Sequence, residues 1–226
     1  MDKKKKVRNI FESIAFRYDI LNHLLSFGVD FYWRKKAIQF SKIKKDALLL
    51  DVACGTGDFS IRARKDGINN IIGADFSFNM LKLYKEKSNL IDGRMVQMAA
   101  EHMPFKDNVI DNIIVAFGVR NFYDLQEGFN SFYRVLNNSG KATILEFRMP
   151  ESKFFKSFYK FYFKRVLPVV GGVVSGNKEA YKYLPASVEE FDEKIIMPDL
   201  LRKSGFKKIN VYTLTFGIVQ VVVAEK

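Results

Sequence analysis

The chain has 226 residues, 48% of them hydrophobic and 27% charged, with a formal net charge of +12. That length buries a full core but is short for two ordinary domains, and the composition is globular, which excludes a disordered or repetitive chain. A single cysteine, Cys54, excludes an internal disulfide framework, and the uncharged apolar run 166–174 is far too short to span a bilayer.

The charge is unevenly spread. Residues 1–50 carry 12 basic and 5 acidic side chains, residues 51–150 carry 12 of each, residues 151–170 carry 5 against 1, and residues 171–226 carry 8 against 7. A basic flank and a basic insert around a neutral middle suit an anionic surface, either lipid headgroups or nucleic acid. For Lys3–Lys6 a solvated charge run is the competing reading. With no charged-then-apolar leader pattern, the expected compartment is the cytoplasm.

In chain order, residues 1–45 read as a helical cap, helical from about Val7 to Phe40. "LLLDVA" (48–53) is a strand that runs into a glycine turn and a helix, and "NIIGAD" (70–75) is a second strand, followed by a helix capped by Ser77. "RMVQMAA" (94–100) and "NIIVAFGV" (112–119) are strands. "YDLQEGFNSFYRVL" (123–136) is a helix and "GKATILEF" (140–147) a strand. Short β-branched runs alternating with helices imply an α/β fold with a doubly wound parallel sheet, and a switch point beside the first strand places a ligand at its carboxyl end. Residues 151–187 form an aromatic, basic helical insert. The last segment, "FKKINVYTLTFGIVQVVVAEK", holds two strand-like runs with no room for a helix between them, so they pair antiparallel. The whole is one domain, 1–226. A terminal hairpin on a parallel sheet resembles the Rossmann-like, seven-stranded sheet of class I methyltransferases.

The turn reads Ala53-Cys54-Gly55-Thr56-Gly57, which supplies G-x-G rather than the full dinucleotide fingerprint. By itself it is compatible with a bare strand-to-helix turn in which glycine adopts positive φ. Asp75 ends the second strand eighteen residues after Gly57, where a carboxylate accepts both hydroxyls of a ribose. A dinucleotide would set its pyrophosphate on the helix N-terminus beside Asp58 and be repelled. S-adenosylmethionine carries no phosphate but a sulfonium and an α-ammonium, so Asp51 and Asp58 favour it.

Several segments, in order, resemble the C-methyltransferases of menaquinone and ubiquinone biosynthesis: "RYDILN", "LLLDVACGTGD", "GADFSFNML", "AAEHMPF", "FGVRN" and "YKYLPAS". The resemblance spans almost the whole chain. It implies transfer of a methyl group from S-adenosylmethionine to a ring carbon of a demethylated polyprenyl quinol, with naphthoquinol and benzoquinol both open. It places Gly55, Thr56 and Gly57 in the cofactor turn, Asp75 on the ribose with Phe76 beside it, and Ala99 and Ala100 along the adenine. The family commonly has Asn or Asp at the position of Ala99, which leaves backbone groups or Glu101 to meet the adenine amino group. Ala116 stands where some relatives have serine. Both departures imply weaker cofactor affinity.

Methylating a ring carbon requires a phenolate, and holding a phenol of pKa ~10 ionised at pH 7 asks the site for roughly 4 kcal/mol. Arg120, with Asn121 beside it, is the catalytic candidate: a fixed cation at the end of the fourth strand stabilises that anion. A buried ion pair pinning the strand end is the alternative. Tyr18 and Asn22, on adjacent turns with Asp19, and Tyr181 and Tyr183 are the substrate-binding candidates. His102 is a candidate proton relay and His23 a packing residue. No metal-ligand spacing appears, so no metal is expected. In the insert, Lys153, Lys156, Lys160 and Lys164 align on one helical face among phenylalanines, a pattern shared by an interfacial helix and by one that packs its rings on the sheet. The expected partners are the membrane-resident quinol and an anionic membrane surface reached peripherally from the cytoplasmic side, with no nucleic acid and with a homodimer left open. RNA methylation and a non-catalytic quinone-binding scaffold are the competing functions.

Overall fold

Seven runs of aliphatic and β-branched residues pair into one sheet of order β3-β2-β1-β4-β5-β7-β6, in a computed structural model that describes residues 19, 23–24, 26–88, 94–166 and 178–226. The strands are β1 (Leu49–Val52), β2 (Ile71–Asp75), β3 (Met95–Gln97), β4 (Ile110–Ala116), β5 (Leu136–Phe147), β6 (Lys208–Leu214) and β7 (Val219–Glu225). The helices are α1 (Val29–Ser41), α2 (Asp58–Lys65), α3 (Phe78–Lys87), α4 (Leu125–Val135), α5 (Lys153–Phe161), α6 (Lys178–Lys194) and α7 (Met197–Lys203). Strands β3, β2, β1, β4 and β5 run parallel, and β7 pairs antiparallel with both β5 and β6. The terminal hairpin and the switch point at β1 are therefore as the sequence implies.

Adjacent residues of the central strands feed opposite faces, because side chains alternate along a strand. Leu50, Ile113, Ile144 and Val222 pack with Phe129, Phe132, Leu201 and Phe206 of α4, α7 and the segment that follows. Leu49, Ile114, Leu145 and Val221 pack with Trp33, Ala37, Phe59, Leu81 and Tyr84 of α1, α2 and α3. Helix α1 is fixed to the hairpin side of the sheet: the Trp33 indole donates to Thr215 Oγ1 at 2.7 Å, Ser41 Oγ donates to Thr143 Oγ1 at 2.8 Å, and Phe40 stacks on Tyr212. The caps are local. Ser77 Oγ accepts from the Met80 N–H and an Asp124 carboxylate oxygen from the Glu127 N–H.

Two differences from the sequence reading shape the crevice. Strand β3 stops at Gln97: the Met98 N–H bond to the Asp75 carbonyl is its last ladder bond, and Met98–Ala100 run on beyond the sheet. Strand β4 stops at Ala116 because Phe117 takes φ 57, a left-handed conformation that a bulky side chain rarely adopts. Ala53, after β1, takes φ 51. Two of the left-handed non-glycine residues thus stand where β1 and β4 end. The turn after β1 is also shape-limited: a Cβ on Gly57, at φ +85, would lie 2.2 Å from the Tyr84 ring.

Asp51 ties β1 to the helix that follows. Its Oδ2 accepts from the Ser60 N–H at 3.0 Å and the Ser60 hydroxyl at 2.6 Å. Burial pushes its carboxyl up to about 7, against those bonds and the nearby Arg34 charge. The folded chain therefore keeps a proton that the unfolded chain loses near its ordinary value of 3.8, so this group's contribution falls as pH rises between the two. An Asp51→Asn variant retains an acceptor for Ser60 and is expected to gain in stability on the parent as pH rises from about 4 to about 7. Melting temperatures of both proteins across that range check this; a constant difference would show that Asp51 does not titrate there.

Candidate active site

Strands β1 and β4 send their chains to opposite faces, and the crevice between their carboxyl ends is a cavity. It brings together nine of the residues singled out in the sequence: Gly55, Asp75, Phe76, Ala99, Ala100, Glu101, His102, Ala116 and Asn121. Asp75 anchors it. Its Oδ2 accepts from the Gly55 N–H at 2.9 Å and its Oδ1 from the Ser77 N–H at 2.8 Å. Burial pushes the carboxyl up to about 6, and the Ser77, Gly55 and Phe76 N–H groups oppose that rise. Two acceptor oxygens side by side fit a vicinal diol. Next to them the methyl groups of Ala99 and Ala100, the Phe76 ring and Met98 form an apolar slot of the kind a flat heteroaromatic ring enters.

The cavity is lined by two carboxylates, Asp75 and Glu101, and among the described residues by no lysine or arginine. A pyrophosphate would find no counter-charge there, whereas a sulfonium with an α-ammonium would. The residues present thus fit S-adenosylmethionine. The sequence reading drew the same choice from Asp58, but that charge is already spent: Asp58 pairs with Lys87 and lies 3.6 Å from Arg34 and 3.5 Å from His23. Glu101 Oε1 accepts from the N–H groups of Tyr123 and Asp124, at 2.6 and 3.1 Å, so it braces the loop that enters α4. His102 lines the cavity as expected.

Asp51, Thr56 and Gly57 lie beneath the turn rather than on the cavity wall. Asp51 holds Ser60, Gly57 packs on Tyr84, and the Thr56 hydroxyl donates to Asp19. Asp19 also receives Lys87 at 2.7 Å. His23 is more than a packing residue: its Nδ1 lies 2.8 Å from Asp30, which also pairs with Arg34, and its ring stacks on Phe31. These bonds lock the N-terminal cap onto the turn. The fold does bring His23, Asp30 and Asp58 together, a grouping that sequence spacing does not reveal, with ligand atoms within 4.8 Å of one another. Arg34 and Lys87 already neutralise its two carboxylates, so the grouping is an ion-pair network.

On the acceptor side, Asn121 Oδ1 accepts from the Tyr183 hydroxyl at 3.0 Å, which ties the cavity wall to α6. Arg120 is buried just behind. Its Nη1 donates to Glu146 at 2.7 Å and to the Phe117 carbonyl at 2.5 Å, and its guanidinium sits over the Phe147 ring. Glu146 also accepts from the Phe147 N–H at 2.9 Å. The ion pair that pins the strand end, held open in the sequence as the alternative for Arg120, is therefore present. Sequence reading missed Glu146, although a single carboxylate inside the apolar run "ATILEF" is a signal, since an unpaired buried charge does not survive there. Tyr18 and Asn22 lie outside the described residues, as does the side chain of Tyr181.

A profile of the ubiE/COQ5 methyltransferase family matches residues 1–226. The chain is 42% identical over 231 residues to the ubiquinone/menaquinone biosynthesis C-methyltransferase UbiE of Geotalea uraniireducens, covering 100% of this chain and 98% of that protein. It is 38% identical over 221 residues to the demethylmenaquinone methyltransferase of Thermus thermophilus, covering 96% and 100%. Among solved structures, a SAM-dependent methyltransferase from Thermotoga maritima superposes with a TM-score of 0.67 at 18% identity, over 96% of this chain and 99% of that one. One from Aquifex aeolicus superposes at 0.59 and 16%, over 85% and 88%. These two likenesses concern the fold. With residues 1–226 matched, a sheet that ends in an antiparallel hairpin and a phosphate-averse, diol-accepting cavity at the switch point, this chain belongs to the ubiE/COQ5 methyltransferase family and is an S-adenosyl-L-methionine-dependent methyltransferase.

Proposed function

We propose that the protein methylates a ring carbon of a demethylated polyprenyl quinol at a membrane surface. The carrying observation is full-length similarity to relatives named as C-methyltransferases of ubiquinone and menaquinone biosynthesis and as demethylmenaquinone methyltransferases. When bound, the cofactor supplies an electrophilic methyl group. Asp75 and the alanine slot orient it. Asn121, fixed by Tyr183, presents its amide hydrogens as donors to an acceptor oxygen. The Arg120–Glu146 pair behind it sets the potential in which a quinol hydroxyl ionises. In-line alignment is the larger part of catalysis, since no other covalent chemistry is asked of the protein.

Among the described residues no helix is long and apolar enough to cross a membrane. The insert nevertheless exposes rings. Phe154 is 75% exposed and Phe158 and Phe161 each 62%. Exposed Phe216 stacks on Phe155 beside them, and exposed Phe27 lies against Tyr162. The lysine stripe is shorter than its spacing implies: α5 ends at Phe161, Lys160 pairs with Glu189 at 2.8 Å, and the side chain of Lys164 lies outside the described residues. Membrane contact thus rests on aromatic insertion first and on Lys153 and Lys156 second.

Three outcomes are expected. Purified protein with S-adenosylmethionine and a vesicle-embedded demethylated quinol yields the ring-methylated quinol, detected by mass spectrometry, and Asp75→Ala loses cofactor binding by calorimetry; methylation of RNA and not of quinol would replace this reading. Arg120→Ala strands a buried carboxylate and lowers unfolding free energy by about 3–5 kcal/mol, whereas Asn121→Ala lowers turnover with little change in urea midpoint. Equal stability losses would place both residues in the scaffold. Replacing Phe154, Phe158 and Phe161 with serine reduces partitioning into anionic vesicles by about tenfold or more, and undiminished binding would remove α5 from the membrane contact.

A further inference from the structure

Helix α5 is built inside out. Its phenylalanines at 154, 158 and 161 face outward, and the one residue it buries is a tyrosine, Tyr159, at 3% exposure. Apolar rings outside and a phenol inside is the reverse of what packing selects, because a phenylalanine at 159 would bury the same ring with no polar atom to satisfy. The hydroxyl of Tyr159 has no hydrogen-bond partner among the described residues. A buried donor left unpaired costs about 1–3 kcal/mol, so its retention calls for a partner beyond them.

The surroundings say where that partner sits. Tyr159 stacks on Phe163 at 4.0 Å, Phe163 meets Phe147 edge-on, and Phe147 lies under the Arg120 guanidinium. The charges acting on the hydroxyl are those of Arg120, Glu146, Asp192 and Glu189. Arg120 and Glu146 also act on Tyr183, whose hydroxyl reaches Asn121. Tyr159, through Phe163 and Phe147, and Tyr183, through Asn121, thus both connect to the acceptor wall that Arg120 and Glu146 back. Burial holds the Tyr159 phenol far above its ordinary range, so it remains a donor at neutral pH.

We infer that Tyr159 is a substrate-binding residue whose buried hydroxyl donates a hydrogen bond to an oxygen of the methyl acceptor, so that the insert reads the acceptor's oxygen pattern as well as covering it. The inference rests on the quinol reading of the site. It makes Tyr159 a specificity determinant, since a site built around a hydrogen bond discriminates against a ligand that cannot complete it.

The test is Tyr159→Phe in the full-length protein, assayed with a short-tailed demethylated quinol. Thermal unfolding, S-adenosylhomocysteine affinity and the kcat and KM for the quinol are measured together. The expected result is a melting temperature equal to or above the parent's, unchanged cofactor-product affinity, and a kcat/KM lower by roughly 10- to 100-fold, carried chiefly by KM. A variant with the parent's kcat/KM overturns the inference. A lowered melting temperature accompanied by weakened S-adenosylhomocysteine binding also overturns it, because it would assign Tyr159 to the scaffold. If the parent itself makes no ring-methylated quinol, the quinol reading fails first and the inference fails with it.

Discussion

Two parallel strands that leave a sheet toward opposite faces cannot close over the gap between their ends, and the site depends on that gap between β1 and β4. Hydrogen bonding dictates it: β1 pairs with β2 on one side and β4 on the other, and each crossover must climb away to cover its own face. The chain then sharpens the gap. Ala53 and Phe117 both turn left-handed at its lips. The close approach of these lips is visible at Gly118, where a Cβ would lie 2.8 Å from the Ala53 side chain. Asp51 and Ser60 hold α2 against β1 from below, so the turn keeps its shape independently of what it binds.

The electrostatics of the site follow from how each buried charge is settled. Asp58, nearest the helix N-terminus, is spent on Arg34, Lys87 and His23, which makes it a clasp for the N-terminal cap. Arg120 and Glu146 settle each other, and breaking such a pair leaves an uncompensated charge in a dry interior. Asp75 is different. Its oxygens are met by backbone N–H groups with no cation in contact among the described residues, and burial raises its proton affinity. A carboxylate left in that condition gains from two hydroxyls and from a nearby positive charge, which are what S-adenosylmethionine brings.

The insert links the interior to the exterior through aromatic rings. Phe117, Phe147 and Trp33 meet where β4 and β5 end, Phe147 passes contact to Phe163, and Phe163 stacks on Tyr159 of α5. On the far side of that helix the rings are exposed.

The sequence by itself determined the sheet, because alternation of β-branched runs with helical ones admits few topologies, and two terminal runs with no room for a crossover must pair antiparallel. Spacing marked Asp75 and the family resemblance marked Phe76, Ala99, Ala100 and Ala116 as cofactor residues, and these, with Asn121, line the cavity beside the carboxyl ends of the strands. The state of the charges was decided only by the tertiary structure. Whether Asp58 faced a ligand or a cation depended on Lys87, twenty-nine residues away, and whether Arg120 stood alone depended on Glu146 at the end of a neighbouring strand. The outward turn of α5 was equally invisible, because periodicity sets its rings apart from its lysines without saying whether the ring face meets the core or the exterior. Short-range pattern fixes where a side chain leaves the backbone. Which charge or ring it then meets is set by strands and helices brought together from distant parts of the chain.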